Sequence, residues 1–513
     1  MTNQANPSVE LLSQLSSGQR DQILSGMRWT VWLAALAMPF NYGTTILLAR
    51  TSPEAIATYG LMIVYITVVS SLFYFGGDPV SLKFVPGISP DQRLSFLLSY
   101  FVVICACLIP WLTIASLWPE KLRYLFGEQG GAGLQLFLLF ISPLCIVASL
   151  IGAALKAQLH LAVAQVLARI LTVGFFLIYA IVFLSSPAFV KLHFAAVIWV
   201  TFLCLTAIAT AAGLYLLLSH INRPKSWRLL HFFLPPGFWP YTLSQQALSA
   251  LGFFTGRLDV LLVLNFGDLT VLGKYLAIVT FAETTRLINR FFLDTLFPSL
   301  TNVLAAQNQE GASQVFSMHM RIIFLTSVTI TCGLILLAPL VTDLLGPVYS
   351  PLTSMIVLLA MIIGLCAPSN VGGMLLSVVG KQQRAVWISV GQLSLYIMIF
   401  LILWPRMHLW GAILAYGIST LVGNLALLLV SRFSVPFRLR IARDYGEFSL
   451  TCLAAFALSR WSGLLSIDKR ILAWLCVVGF YLILARYSLR ECVQLLRCFL
   501  PIPAGFLPGR SAR

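Results

Sequence analysis

Residues 194–218 read FAAVIWVTFLCLTAIATAAGLYLLL, twenty-five residues without one Asp, Glu, Lys or Arg. A helix rises 1.5 Å per residue, so about 20 apolar residues cross the ~30 Å hydrocarbon core of a bilayer. A helix on the surface of a soluble domain keeps a polar face, and this stretch has none. It reads as a transmembrane helix. Eleven further runs are similar, at roughly 29–49, 56–76, 94–117, 133–155, 162–184, 239–265, 271–297, 322–342, 352–379, 385–404 and 410–431. Two shorter ones follow at 448–466 and 471–487. Arg460 interrupts the first, and Asp468-Lys469-Arg470 between them reads as a tight polar turn. The expected fold is an all-α polytopic membrane protein with fourteen transmembrane helices, or alternatively twelve.

Composition agrees. The 513 residues are 59% hydrophobic and 10% charged, against roughly 25% charged in a soluble domain. That excludes an ordinary soluble enzyme, a disordered chain and a nucleic-acid-binding protein. The net charge is +16, from 33 Lys and Arg against 17 Asp and Glu. With the N-terminus in the cytoplasm, twenty of the 33 fall in cytoplasmic segments and eight outside. This is the positive-inside bias, so the surplus reads as an orientation signal with both termini cytoplasmic. The other five, Arg169, Arg257, Arg286, Arg290 and Arg460, fall inside spans. Residues 1–27 lack a basic start followed by an apolar core and read as a cytoplasmic tail, with a short amphipathic helix around Val9–Leu15. Eight of the ten cysteines lie in apolar runs, and no spacing reads as a metal site.

The chain contains a repeat. Leu125-Phe126-Gly127 is echoed by Leu344-Leu345-Gly346, and Gly152-Ala153-Ala154-Leu155-Lys156-Ala157-Gln158 by Gly372-Gly373-Met374-Leu375 with Gly380-Lys381-Gln382. Tyr59-Gly60 is echoed by Gly273-Lys274-Tyr275, and Phe84-Val85-Pro86 by Leu296-Phe297-Pro298. The order is kept at offsets of about 212–220 residues. Spans 1–6 thus correspond to spans 7–12. Six is even, so the repeat is parallel. The expected organisation is a tail at 1–27, an N-lobe at 28–219, a basic cytoplasmic linker at 220–237, a C-lobe at 238–432, two further spans at 433–487 and a cytoplasmic tail at 488–513. Two equivalent six-helix lobes around a central cavity suit alternating access.

Charges inside the spans are the candidate functional residues. Span eight carries Glu283, Arg286, Arg290 and Asp294, spaced to share one face of a continuous helix. Span five carries Arg169, and span seven carries Arg257 and Asp259. Each deep charge costs about 2.5–3.5 kcal/mol at the bilayer centre. Arg169, Arg257, Asp259, Glu283 and Arg286 together cost roughly 13–17 kcal/mol, comparable to a domain's whole stability. They must face one another or a polar cavity. Arg257 and Asp259 are two residues apart, so they point away from each other and one of them meets another helix. Guanidinium binds phosphate through a bidentate fork, so Arg257, Arg286, Arg169 and Arg290 suit an anion. Glu283, Asp259 and Asp294 read as counter-charges or as carriers of a coupling proton or sodium ion. Pro39 and Asn41, at mid-depth in span one, are a candidate hinge. Static ion pairs, snorkelling of Arg290 and Asp294, and a packed kink are the structural alternatives. No Walker motif, phosphate-binding glycine loop or sizeable soluble domain is present, so no covalent catalysis and no cofactor or metal are expected.

Several of these segments resemble a known group. Gly256-Arg257-Leu258-Asp259-Val260-Leu261-Leu262, Phe266-Gly267-Asp268, Gly273-Lys274-Tyr275 and Leu296-Phe297-Pro298-Ser299-Leu300 are similar to the central signature of polysaccharide flippases. So are Tyr59-Gly60 with Phe75-Gly76-Gly77, and Trp410-Gly411-Ala412. These flippases are the lipopolysaccharide, O-antigen and exopolysaccharide exporters of the multidrug/oligosaccharidyl-lipid/polysaccharide superfamily, and the resemblance spans residues 25–435. It implies two lobes around a cavity in the bacterial inner membrane. It also implies flipping of undecaprenyl-pyrophosphate-linked oligosaccharide from the cytoplasmic leaflet, driven by an ion gradient. The implied partners are that lipid-linked oligosaccharide, membrane lipid, and the polysaccharide polymerase and chain-length machinery. Arg257 lies in the matching motif. Span one lacks the arginine-containing opening of the peptidoglycan-precursor flippases and the acidic pair of multidrug antiporters. A multidrug cation antiporter of the same fold and a non-transporting scaffold of polysaccharide assembly are the alternative readings.

Overall fold

A computed structural model describes residues 33, 36–117, 140–158, 160–220, 232–286, 289, 296, 300, 309–379, 381–435, 442–461 and 467–484. Every regular element among them is helical. Residues 36–51 are helical. They are followed by α1 (Pro53–Phe73), the short α2 (Asp78–Phe84), α3 (Pro90–Leu117), α4 (Ser142–Ala157), α5 (Leu161–Ser185) and α6 (Pro187–His220). Then come α7 (Phe238–Phe266), α8 (Leu269–Ala282), α9 (Gln309–Leu345), α10 (Thr353–Cys366), α11 (Val371–Val378), α12 (Gln382–Met407) and α13 (Leu409–Arg432). The last are α14 (Ala442–Trp461) and α15 (Ile467–Leu484). Among the described residues, eight helical stretches are long and apolar enough to cross a bilayer, or nine when the bent α7 counts as one span. The chain is a multi-pass membrane protein. Among the described residues, helical residues 36–51 and α4, α8, α14 and α15 fall in other expected spans.

Local chemistry sets the helix starts. Ser52 caps α1, its hydroxyl accepting from the Ala55 amide at 3.2 Å, with Pro53 at the first helical position and Glu54 in the first turn. Asp268 accepts from the Val271 amide at 2.6 Å and so starts α8 immediately after α7.

Three sequence expectations change. Span eight does not run as one helix over 271–297: α8 ends at Ala282, Glu283 sits in a turn, and helix resumes at 284–286. The apolar run gives out there, and a carboxylate and two threonines follow, so the break falls where the side chains turn polar. Asp468-Lys469-Arg470 is not a turn but lies within the first turns of α15. Aspartate in a first helical turn is favoured by the helix dipole, and Arg470 donates to the Leu336 carbonyl at 3.4 Å. Span thirteen starts earlier than expected, and α14 continues through Arg460 without a break.

The chain divides into two compact units. The first holds Met1–Phe281, Thr342–Leu352 and Ser389–Ser419; the second holds Ala282–Val341, Thr353–Ile388 and Thr420–Arg513. Within the first, α6 packs on α4 and α5, and α1 packs along α7. Both ends of α1 are held. At its start, the Thr270 hydroxyl donates to Glu54, and Gly273 lies directly on the Pro53 carbonyl. Beside this end, Arg50 donates to the Leu344 and Asp343 carbonyls at 2.7 Å each, capping the C-terminus of α9. At the other end of α1, the chain turns through Gly76 and Gly77, both at positive φ. Gln246 of α7 closes this turn, donating to the Ser71 carbonyl and accepting from the Gly76 amide at 3.0 Å.

Within the second unit, α10 and α11 are joined by a 3-10 segment at Ala367–Asn370 that contains Pro368. The Trp474 indole of α15 donates to the Thr329 carbonyl of α9 at 2.8 Å. The apolar windows of α5 and α12 are largely exposed, each only 11% buried.

A Cβ at Gly273 would overlap the Pro53 carbonyl. Gly273→Val should therefore lower apparent stability by about 2–4 kcal/mol, read as a fall in the unfolding temperature of detergent-purified protein. Gly391→Ala, at a site with open space around it, should leave that temperature unchanged. Equal temperatures for both variants would contradict the packing described.

Candidate functional site

The candidate site begins at a bend. Between Phe238–Phe254 and Gly256–Phe266, α7 turns by 45°. Gly252 and Gly256 flank the bend, and no atom of the described residues lies within 4 Å of where a Cβ would stand at either. Arg257 follows directly and its side chain is exposed. Two residues on, Asp259 points the opposite way and is only 7% exposed. One helical turn of backbone thus places a guanidinium on an open face and a carboxylate inside the unit.

Asp259 finds its partner on the next helix. The Tyr275 hydroxyl of α8, wholly buried, donates to it at 2.8 Å. Tyr396 of α12 stands within electrostatic reach of Asp259, and Tyr416 of α13 beside both Tyr275 and Tyr396. All three phenols are buried. The Tyr396 hydroxyl has no hydrogen-bond partner among the described residues. The first unit therefore holds a buried carboxylate ringed by phenols, one of them with spare hydrogen-bonding capacity. A carboxylate in this setting can take up a proton or hold a small cation.

In the second unit, Arg286 donates to Glu283 at 2.6 Å across the break after α8, and both side chains are about one-third exposed. Next to the pair runs a polar seam. Asn289, fully buried, donates to Ser327 of α9 at 2.6 Å, and the Thr326 hydroxyl is 3.0 Å from the Asn289 carbonyl oxygen. Thr285 and Thr331 face each other at 3.4 Å. In the first unit, Arg169 sits on α5, half-buried, and its Nε has no partner among the described residues. Pro39 and Asn41 lie in the uninterrupted helix 36–51, where the Thr45 hydroxyl donates to the Asn41 carbonyl at 3.2 Å. Stacking of Tyr42 on Phe281 (5.4 Å) packs this helix against α8. Arg290 and Asp294 lie outside the described residues.

The structure thus joins Glu283 with Arg286 and separates Arg257 from Asp259. Sequence reasoning did not single out Tyr396, Tyr416 or the Asn289 seam. A phenol or amide inside an apolar run barely lowers hydropathy, so only packing exposes it. Tyr275 carried a signal, since it ends the Gly273-Lys274-Tyr275 segment found in the repeat.

No family model matches the chain, and no curated protein matches it by sequence. Its fold has clear counterparts among solved structures. An inward-facing multidrug resistance MATE family transporter of the MOP superfamily superposes with a TM-score of 0.63 at 11% identity, over 79% of this chain and 97% of that one. The lipid II flippase MurJ, in an inward closed conformation, gives 0.61 at 13% identity over 90% and 99%. An outward-facing MATE family transporter gives 0.57 at 14% over 81% and 95%. The chain has the fold of MOP superfamily transporters. These neighbours are transporters, not enzymes.

Tyr275→Phe removes the hydroxyl bound to a buried carboxylate. It should cost about 1–3 kcal/mol, read as a lower unfolding temperature in detergent, whereas Tyr215→Phe, at an exposed position, should not shift it. An unchanged temperature for Tyr275→Phe would show that this bond does not matter to the fold.

Proposed function

We propose that the protein is a flippase for undecaprenyl-pyrophosphate-linked oligosaccharide, moving it from the inner to the outer leaflet of the bacterial inner membrane by ion-coupled alternating access. The observation that carries this reading is Arg257, exposed at the bend of α7 directly after Gly256. A guanidinium in hydrocarbon is costly, and pyrophosphate is the ligand class that its fork suits. In this reading Arg257 and Arg169 are the pyrophosphate ligands of the first unit, and Arg286 and Arg290 are those of the second. Glu283 and Asp294 balance the arginines, and Asp259 in its ring of phenols takes the coupling proton or sodium ion. Pro39 and Asn41 form the hinge in span one. Both termini lie in the cytoplasm, and the polysaccharide polymerase and chain-length machinery receive the product. Likeness to a lipid II flippase supports a lipid-linked oligosaccharide as cargo.

A second reading, a multidrug cation antiporter, is favoured by likeness to MATE transporters. It suits Asp259 but gives the exposed Arg257 no role. The test is reconstitution in proteoliposomes with a fluorescent polyprenyl-pyrophosphate saccharide. Arg257→Ala should slow flipping at least about tenfold, and Arg257→Lys should recover only part because lysine lacks the fork. Asp259→Asn should make the remaining rate insensitive to a proton or sodium gradient. Wild-type flipping by Arg257→Ala would sink the proposal. Gradient-driven transport of ethidium without saccharide flipping would establish the second reading.

A further inference from the structure

A separate cavity of about 360 Å³ is lined by residues of the first unit alone, on α1, α2, α4, α5 and α6, and is partly open. Its size is in the range of small-ligand sites. None of the intramembrane charges discussed above lines it. Its walls are mostly apolar: Ile63 and Ile66 of α1 face Leu167 and Leu171 of α5. Small residues hollow it out, above all Gly152 of α4, where no atom lies within 4 Å of a would-be Cβ. One place on the wall is charged. Lys156 of α4 and Asp78 of α2 both line the cavity and pair at 3.3 Å. Both side chains keep about a third of their surface exposed, so the pair is neither sealed nor saturated.

An apolar chamber with a single dipolar ion pair on its wall is shaped for an amphiphile. The apolar window of the wall helix α5 is only 11% buried, and for a membrane-spanning helix the bilayer is the nearest supply of an amphiphile. The charges narrow the head group. A purely anionic head would meet Lys156 but crowd the Asp78 carboxylate, and a purely cationic head would do the reverse. A head group with a phosphate and a primary ammonium satisfies both partners through charge-assisted hydrogen bonds. We propose that this cavity holds one membrane phospholipid of the phosphatidylethanolamine type, with an acyl chain among Ile63, Ile66, Leu167 and Leu171, its phosphate on Lys156 and its ammonium on Asp78. The lipid fills space that otherwise leaves the faces of α1, α4 and α5 without partner atoms, a gap that costs packing energy. It is a structural lipid of one unit, and its presence does not depend on which cargo the transporter moves.

The test is retention of lipid by the full chain. Protein is purified in mild detergent, exchanged into mixed micelles holding equal phosphatidylethanolamine and phosphatidylglycerol, washed, and weighed by native mass spectrometry. Wild type should keep one phosphatidylethanolamine in preference to phosphatidylglycerol. Gly152→Phe fills the chamber from a position with free space and should reduce retention at least about tenfold. Lys156→Gln, which leaves the walls intact, should reduce it about tenfold and abolish the head-group preference. Unfolding temperatures measured with and without added phosphatidylethanolamine identify any variant that simply misfolds: the lipid should raise that of wild type and not that of Gly152→Phe. Retention by folded Gly152→Phe equal to wild type would overturn the proposal. So would a wild-type preference for phosphatidylglycerol, or no bound lipid at all.

Discussion

Hydrocarbon offers no hydrogen bonds, and the molecule is organised around that fact. A buried carboxylate must bring its own donor, and Asp259 does so through Tyr275, wholly inside the first unit. The bond ties α7 to α8 across a turn of two residues, Gly267 and Asp268. That tie lets α7 place Arg257 on the opposite face, at the bend. The same rule recurs at lower stakes. Arg50 covers the last carbonyls of α9, and Gln246 closes the turn after α1. Asn289, Ser327 and Thr326 satisfy one another between helices. Each device removes a polar group from lipid, and each also fixes the distance between two helices.

Close helix contact depends on small residues as much as on polar ones. Gly273 lets α8 reach the Pro53 carbonyl, and Gly372 lies against the backbone of Leu427 and Leu428. Dispersion falls steeply with separation, so these approaches stabilise the bundle where a hydrophobic driving force is absent. Where small residues face no partner, as at Gly152, they leave a chamber instead. The same residue type closes one interface and opens another, and only its neighbours decide which.

Arg257 and Glu283–Arg286 handle charge differently. The pair at the break after α8 neutralises itself at 2.6 Å, so it can serve the fold without any ligand. Arg257 is exposed directly after Gly256.

The sequence by itself determined the class of fold. Charge-free runs such as 194–218 are long enough to span and too apolar to do anything else. Spacing also determined that Arg257 and Asp259 diverge, because a helix turns about 200° over two residues. It did not determine where span eight ends. Four charges at helical spacing promised one continuous face, but the helix breaks at Glu283. It also misplaced Asp468-Lys469-Arg470, since residues that suit a turn suit a helix start equally well. The tertiary structure alone decided that Tyr275, Tyr396 and Tyr416 gather around Asp259, and that Lys156 and Asp78, 78 residues apart, share one cavity. Periodicity reports which way a side chain points from its own helix. The neighbour that it meets depends on which helices pack together, and that is set by contacts summed over the whole bundle.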